Sequence, residues 1–149
     1  MCSKVSKIYI CKEKGSPREA LESAILEEEI GLVGDCYSGL GDKNRQVTIL
    51  LSKDKKDIEE NYKDRGICSK RFHENILIDN LILEDLSIGT KLKVGKSSLE
   101  ITSIGKRCFS ECELVKEQNI CPLKRGAIFA KVIESGKIKM NDFVEICKY

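Results

Sequence analysis

The sequence predicts a β-rich α+β fold in which mostly antiparallel strands form a β-barrel and a few helices lie at its periphery. Short apolar stretches that alternate with polar residues, or are rich in β-branched residues, recur along the chain. Turns that contain glycine or asparagine separate these stretches at short spacing, as in antiparallel barrels. With 149 residues, two prolines and no linker-like stretch, the chain is predicted to be a single domain over residues 1–149.

The first predicted helix follows a helix-start pattern near residue 16. Ser16 can cap the helix, Pro17 suits its first turn, and Glu19 completes a capping box. Apolar residues then fall on one helical face, and the acidic run 27–29 ends the element. A second, short surface helix is predicted over residues 54–64.

Strands account for most of the remaining pattern, and one apolar run fits either a strand or a helix. The ambiguous run is residues 76–82. From residue 86 onward glycine turns bracket alternating segments, which favours strands. The predicted strands are residues 5–11, 45–51, 91–94, 99–103, 128–133 and 143–146.

Composition excludes several classes of protein. Apolar residues make up 41% of the chain, too large a share for a disordered protein, and no apolar run approaches the roughly 18 residues of a membrane-spanning helix. The net charge of +2 and the 5% aromatic content predict no nucleic-acid partner. The amino terminus lacks the apolar region of a secretory signal, so we expect a cytoplasmic location without membrane attachment.

The eight cysteines are expected to be reduced, as in cytosolic proteins. Cys108 and Cys112 are the strongest candidates for chemistry, because Arg107 would lower the pKa of a nearby thiol and make it a better nucleophile and metal ligand. An alternative is a zinc site built from Cys108, Cys112, Cys121 and His73, although this spacing matches no common zinc finger. The other cysteines are expected to be bystanders.

Two further segments are candidate parts of a ligand site. Gly34 and Asp35 end a glycine-rich turn, and Arg45 follows at the start of a strand, where its guanidinium could bind a phosphate. His73, Glu74 and Asn75 precede an apolar run and could line the rim of a pocket. A simple capped turn, a surface arginine and a polar turn explain the same residues without any ligand.

Taken together and in order, these segments resemble the MOSC family, the domain named after the carboxyl-terminal part of molybdenum cofactor sulfurases. The family patterns are G-x-x-G-D, R-Q-V-S/T, F/G-x-E-N-I/L, L-x-I-G-D-x-L/V, a cysteine, G-I/V-F/Y-A-x-V and G-x-I-x-x-G-D. The corresponding segments here are residues 31–35, 45–48, 72–76, 86–92, 107–112, 126–132 and 136–142. The resemblance is to small stand-alone bacterial members and spans about residues 4–147.

The resemblance implies a MOSC-type barrel that binds a molybdopterin-type molybdenum cofactor or carries sulfur for it. A cysteine thiolate would ligate molybdenum or hold a persulfide, and some relatives are molybdenum-dependent reductases. Cys112, which precedes Glu113 and Leu114 as in the family's C-x-L/I, is favoured over Cys108 as the catalytic residue and as the metal ligand.

Residue type, taken together with the same resemblance, indicates roles for the remaining site residues and the expected partners. Arg45 would bind the cofactor's phosphate, and Glu74 and Asn75 would bind the edge of the pterin. The full set of expected cofactor-binding residues is Arg45, Gly34, Asp35, His73, Glu74, Asn75 and Arg107. Family descriptions also mention pyridoxal phosphate, but in sulfurases it occupies a separate domain that this chain is too short to contain. A sulfur donor or a molybdoenzyme is the expected protein partner, and a zinc-stabilised interaction module is the alternative function.

Overall fold

The computed structural model describes residues 3–13, 19–35, 46–61, 74–105 and 127–147, which form two β-sheets and one α-helix. The strands are β1 (Lys4–Ile10), β2 (Glu19–Leu21), β3 (Ser23–Glu27), β4 (Gly31–Leu32), β5 (Val47–Leu51), β6 (Ile76–Asp79), β7 (Lys91–Val94), β8 (Ser97–Ile104), β9 (Ile128–Glu134), β10 (Gly136–Lys139) and β11 (Val144–Cys147). The helix is α1 (Ser52–Asn61), and a 3-10 turn covers Leu83–Asp85.

The large sheet has eight strands in the order β11-β7-β8-β9-β5-β6-β1-β2, and the small sheet has the order β10-β3-β4. Strands β5 and β6 run parallel, whereas the other pairs of strands among the described residues are antiparallel. The prediction of a mostly antiparallel, β-rich fold is therefore confirmed. Helix α1 connects the two parallel strands from β5 toward β6, as a parallel pair requires.

The alternation of apolar and polar residues along the strands places the buried side chains where the sequence predicts them. On β7, Leu92 and Val94 are buried while Lys91 and Lys93 are exposed, and on β8 Leu99 and Ile101 are buried. The ambiguous run after residue 75 is strand β6, whose first three residues are all buried. A strand covered on both faces has a continuous apolar sequence, so periodicity alone could not distinguish it from a helix.

The helix predicted from Ser16 to residue 29 is wrong where the structure describes it. Residues 19–27 form β2 and β3 instead. In β3, Leu26 is buried whereas its neighbour Ile25 is 52% exposed, so the side chains alternate as in a strand. Pairing with β10 outweighs the local capping signal, and β10 itself was not predicted. The other predicted helix is confirmed as α1, although it begins at Ser52 and residues 62–64 lie outside the described part.

The barrel is the part of the fold prediction that the structure does not establish. An isolated bridge pairs Lys4 with Phe143, and the Val5 N–H donates to the Asp142 carbonyl at 2.9 Å. These contacts bring the segment before β11 back to β1, so the large sheet curls strongly. The named strands of the described residues nevertheless remain an open eight-stranded sheet and a separate three-stranded sheet.

Candidate functional site

Three of the predicted site segments meet at one edge of the large sheet. Because β5 and β6 are parallel, their first residues lie at the same edge, and antiparallel β1 brings its last residue there too. We call this region the motif edge and define it by Cys11, Asp35, Gln46, Thr48 and Asn75. Hydrogen bonds join Cys11 to Asp35 and Thr48 to Asn75, and Gln46 packs against the glycine-rich turn that precedes Asp35.

The glycine-rich turn packs directly against the segment that follows Arg45. Gly31 has φ +94°, and a Cβ placed on it would lie 2.4 Å from the Gln46 carbonyl oxygen. Only glycine permits both this conformation and this approach. Gly34 has φ +91°, and its Cβ would lie 3.3 Å from the Ile10 side chain, so this predicted site glycine serves a tight turn over β1.

Asp35 connects this turn to the end of β1. Its Oδ1 accepts a hydrogen bond from the Cys11 N–H at 2.8 Å. Cys11 is buried, and its thiol donates to the Glu13 carbonyl at 2.9 Å. Cys11, which the sequence predicts to be a bystander, thus takes part in the motif edge. The signal in the sequence is its position at the end of a predicted strand.

Asn75 binds the two parallel strands together at their first residues. Its N–H donates to the Thr48 carbonyl at 2.8 Å, and its Oδ1 accepts from the Thr48 N–H at 3.0 Å. Its own carbonyl accepts from the Tyr9 N–H at 2.8 Å, which also connects this pair of strands to β1. The Oδ1 atom is thus engaged with the backbone, and the amide Nδ2 is the group that could donate to a ligand.

Glu74 lies beside Asn75 but is held inside the protein. Its side chain is 1% exposed, and its Oε2 lies 3.2 Å from the Lys55 Nζ on α1. Lys55 also approaches Glu59 at 4.0 Å. A buried carboxylate needs a cation to compensate for its lost hydration, and Lys55 supplies that charge. The Glu74 side chain therefore ties α1 to the start of β6.

The remaining predicted site residues lie outside the described residues. They are Arg45, His73, Arg107, Cys108 and Cys112. The described residues that follow two of them in the chain are Gln46, after Arg45, and Glu74, after His73. The Gln46 Oε1 accepts a hydrogen bond from the Val132 N–H at 2.9 Å. The cysteine segment, residues 106–126, is flanked by Gly105 and Ala127, and the Gly105 N–H donates to the Ala127 carbonyl at 2.6 Å.

A row of four isoleucines fixes where the cysteine segment leaves the large sheet. Ile49 pairs with Ile76 and with Ile128, and Ile128 pairs with Ile104. Residue 127 adjoins Ile128, two strand spacings or about 10 Å from β6, and residue 105 adjoins Ile104, three strand spacings or about 14 Å from β6. The 21 residues of the segment could span that distance several times over at roughly 3.3 Å per extended residue.

A cavity of about 510 Å³ lies at the opposite ends of β5 and β6 from the motif edge. Ser52, Asp54, Asp79 and Glu84 are among its lining residues. Within the part of the chain that the structure describes, the buried Ser52 Oγ has no hydrogen-bond partner. No group of three or more His, Cys, Asp or Glu that could hold a metal ion is found in that same part. The four ligands of the zinc alternative all lie outside it.

Comparison with known proteins identifies the family. The model of the MOSC domain matches residues 37–145. The chain belongs to the MOSC domain family. This family is associated with proteins related to the molybdenum cofactor. The match confirms the resemblance inferred from the ordered motifs. No curated protein matches the sequence of this MOSC chain.

Solved structures show the same fold at low sequence identity. The YuaD protein from Bacillus subtilis superposes with a TM-score of 0.72 at 18% identity, over 100% of this chain and 97% of that one. YiiM from Geobacillus stearothermophilus gives a TM-score of 0.68 at 15% identity, over 98% of this chain and 75% of that one. YiiM from Escherichia coli gives 0.63 at 17% identity, over 100% and 71% of the two chains.

Among the described residues of this MOSC domain, none of the helices combines the length and the apolar character needed to cross a membrane.

Proposed function

We propose that this MOSC protein binds a molybdopterin-type molybdenum cofactor at the motif edge and uses a thiolate of the cysteine segment to ligate molybdenum or to carry sulfur. The observation that carries the proposal is that contacts at the motif edge bring three separate motifs together. Gly31 of the first motif packs on Gln46 of the second, and Asn75 of the third holds Thr48 of the second. Asp35 of the first motif accepts from the Cys11 N–H at the end of β1.

The donor set fits such a cofactor. A guanidinium suits a phosphate through two parallel hydrogen bonds, which is the role proposed for Arg45. His73 and the Asn75 Nδ2 are donors for the polar edge of a pterin. When bound, the cofactor supplies a molybdenum centre that a soft thiolate can ligate, and Cys112 is the first candidate with Cys108 as the second.

The contacts of the described residues divide the predicted set into two roles. Asp35 and Glu74 have protein partners at 2.8 Å and 3.2 Å. They therefore position the motif edge, while Asn75, Arg45 and His73 would contact the cofactor. Gly34 serves the turn that carries Asp35. Arg107 would keep the neighbouring thiol ionised.

As a sulfur carrier, the thiolate would attack the terminal sulfur of a donor persulfide. The new sulfur–sulfur bond forms on the cysteine, and the donor leaves as a thiolate, so no external oxidant is needed. A sulfur-donor protein or a molybdoenzyme is the partner this role requires. A reductase role would instead require an electron-donor partner. Pyridoxal phosphate has no role in this proposal.

The test is to express the protein in a host that makes molybdopterin and to measure bound molybdenum, zinc and pterin. Mass spectrometry would locate a persulfide as an increase of roughly 32 daltons, one sulfur, on a named cysteine. We expect Cys112→Ala to lose molybdenum or the persulfide and Arg45→Ala to lose bound pterin. Cys147→Ala is the matched control, because it also removes a thiol. Cys147 lies on β11 opposite Lys91, outside both the motif edge and the cysteine segment.

Two results would overturn the proposal. Molybdenum content that stays unchanged in both Cys108→Ala and Cys112→Ala would reject thiolate ligation, and the absence of a persulfide would then reject the carrier role. One equivalent of zinc, lost in the His73→Ala and Cys121→Ala variants, would establish the zinc-stabilised module instead.

A further inference from the structure

A second cavity, of about 430 Å³, lies at the other end of β1 from the motif edge. Lys4, the first residue of β1, bridges to Phe143 at this cavity, whereas Cys11 follows the last residue of β1 at the motif edge. Seven strand residues span roughly 20 Å, so the two places are distinct. We call it the lysine cavity; it is lined by Lys93, Gly95, Lys96, Lys137, Lys139, Asp142, Phe143 and Glu145.

The charges of the lysine cavity are unbalanced. Four lysines face two carboxylates. The Asp142 Oδ2 already accepts a hydrogen bond from the Lys139 backbone N–H at 2.7 Å, and Glu145 stands opposite Lys93 in the β11–β7 register. Within the described ranges, Lys96, Lys137 and Lys139 have no ion-pair partner. Ammonium groups gathered without partners repel one another, and an anion between them removes that repulsion.

An aromatic ring lies beside these ammonium groups. Phe143 is 56% exposed, so its ring is accessible to a ligand. The Lys4 Nζ lies 5.4 Å from the ring centroid, so a further cation borders the cavity. An exposed ring next to several cations is the arrangement that binds a planar aromatic group joined to phosphates.

The backbone that carries the lysines is rigidly packed. A Cβ on Gly136 would lie 2.2 Å from the Lys96 carbonyl oxygen, and one on Gly95 would lie 2.4 Å from the Asp142 Oδ2. The Lys96 N–H donates to the Lys137 carbonyl at 3.2 Å. The fully buried Ser97 donates its hydroxyl to the Glu134 carbonyl at 2.8 Å. The lysines therefore project from a fixed frame, which lowers the entropy cost of gathering them around a ligand.

We infer that the lysine cavity is a binding site for a small phosphorylated aromatic compound of the nucleotide class, with Lys96, Lys137 and Lys139 on the phosphates and Phe143 on the ring. The volume lies within the range of small-molecule sites, roughly 300–1,000 Å³. Lysine binds phosphate as a point charge and needs no forked geometry. This inference does not depend on the proposed function, since it involves neither the motif edge nor the cysteine segment.

The test is calorimetric titration of the whole protein with ADP, pyrophosphate and adenosine at low ionic strength. We expect ADP to bind at one site, pyrophosphate more weakly, and adenosine not measurably. Lys137→Ala/Lys139→Ala should weaken ADP binding at least about fivefold, because each lysine contributes like an exposed ion pair. Phe143→Ala should weaken ADP binding and leave pyrophosphate binding unchanged. Lys137→Arg/Lys139→Arg, which keeps the charge, should restore most of the affinity.

Matched variants distinguish binding at the lysine cavity from nonspecific electrostatic attraction of an anion to the protein surface. Lys7→Ala/Lys56→Ala removes the same charge from exposed lysines elsewhere and should leave the affinity within about twofold. Cys112→Ala should bind ADP normally, so a failure of the molybdenum proposal would not affect this result. The inference is overturned if neither ADP nor pyrophosphate binds, if both double-alanine variants weaken binding equally, or if only long nucleic-acid strands bind.

Discussion

Asn75 holds both backbone polar groups of Thr48. The Asn75 N–H donates to the Thr48 carbonyl at 2.8 Å, and the Asn75 Oδ1 accepts from the Thr48 N–H at 3.0 Å. The side-chain amide thus supplies the acceptor that a backbone carbonyl would supply in a longer parallel ladder. This pair fixes the register in which Ile49 faces Ile76 at the start of the parallel strands.

Asn75→Ala is expected to lower the free energy of unfolding by about 1–2 kcal/mol, because the Thr48 N–H loses its acceptor in a partly buried place. Asn75→Asp keeps an acceptor oxygen and should lose clearly less. Denaturant titration followed by circular dichroism would measure both. Equal losses in the two variants would contradict the assigned role of Oδ1.

Breaking the Glu74–Lys55 pair should cost more than breaking an exposed pair. Glu74→Gln is expected to lower the free energy of unfolding by about 2 kcal/mol. The loss is no larger because Lys55 is 23% exposed, so its ammonium group can regain water when the carboxylate is removed. Lys55→Met should cost more, because it leaves a buried carboxylate without its cation. Glu59→Gln is the matched control on the same lysine, and it should change stability by less than about 0.5 kcal/mol. A Glu59→Gln loss as large as that of Glu74→Gln would contradict this account.

Gly31 and Gly89 illustrate two different reasons why a position requires glycine: a positive φ, and the lack of room for a Cβ. Both have positive φ, +94° and +93°, but a Cβ on Gly31 would meet the Gln46 carbonyl at 2.4 Å whereas one on Gly89 would meet nothing within 4 Å. Gly89→Ala should cost about 1–2 kcal/mol for its conformation alone. Gly31→Ala should cost at least about 2 kcal/mol more. Thermal unfolding of the two variants side by side would measure the difference, and equal losses would show that the turn can move away from Gln46.

Ser52→Ala is expected to stabilise the protein by about 1 kcal/mol. Its buried Oγ has no partner within the described residues, so the substitution removes a polar group that was taken out of water without compensation. Denaturant titration would show the increase, and Ser87→Ala is a control that should lose stability, because the Ser87 Oγ lies 3.1 Å from the Thr90 Oγ1. A loss in Ser52→Ala would reveal a partner that this account lacks.

Most of the fold could be predicted from the sequence because alternation and turn residues act locally. The turns behave as expected, and Asn141 takes a positive φ of 71° in place of the family's glycine. The helix predicted from Ser16 failed because its capping signals are local, whereas β3 is stabilised by β10, more than a hundred residues away in sequence. Strand pairing over that separation leaves no periodic signal in either segment.

The candidate site could be predicted only as a set of segments. The motifs assign Asp35, Glu74 and Asn75 to one candidate site, but nothing in the sequence indicates that Cys11 donates to Asp35 or that Lys55 neutralises Glu74. Those partners come from other elements and are chosen by the three-dimensional packing. The lysine cavity likewise combines residues from β7, the turn between β7 and β8, β10, the turn before β11 and β11 itself. The local patterns of these segments show only ordinary exposed lysines.

The bond between Gly105 and Ala127 has an evolutionary consequence. This hydrogen bond joins the two residues that flank the cysteine segment, one after the end of β8 and one before the start of β9. The segment can therefore be lengthened, shortened or replaced while the register of both strands stays as it is. Loop-closure entropy rises only slowly with length, by about 0.6 kcal/mol for each doubling. During evolution the cysteine segment could therefore be exchanged, and new reactions acquired, while the strands that carry it stay unchanged.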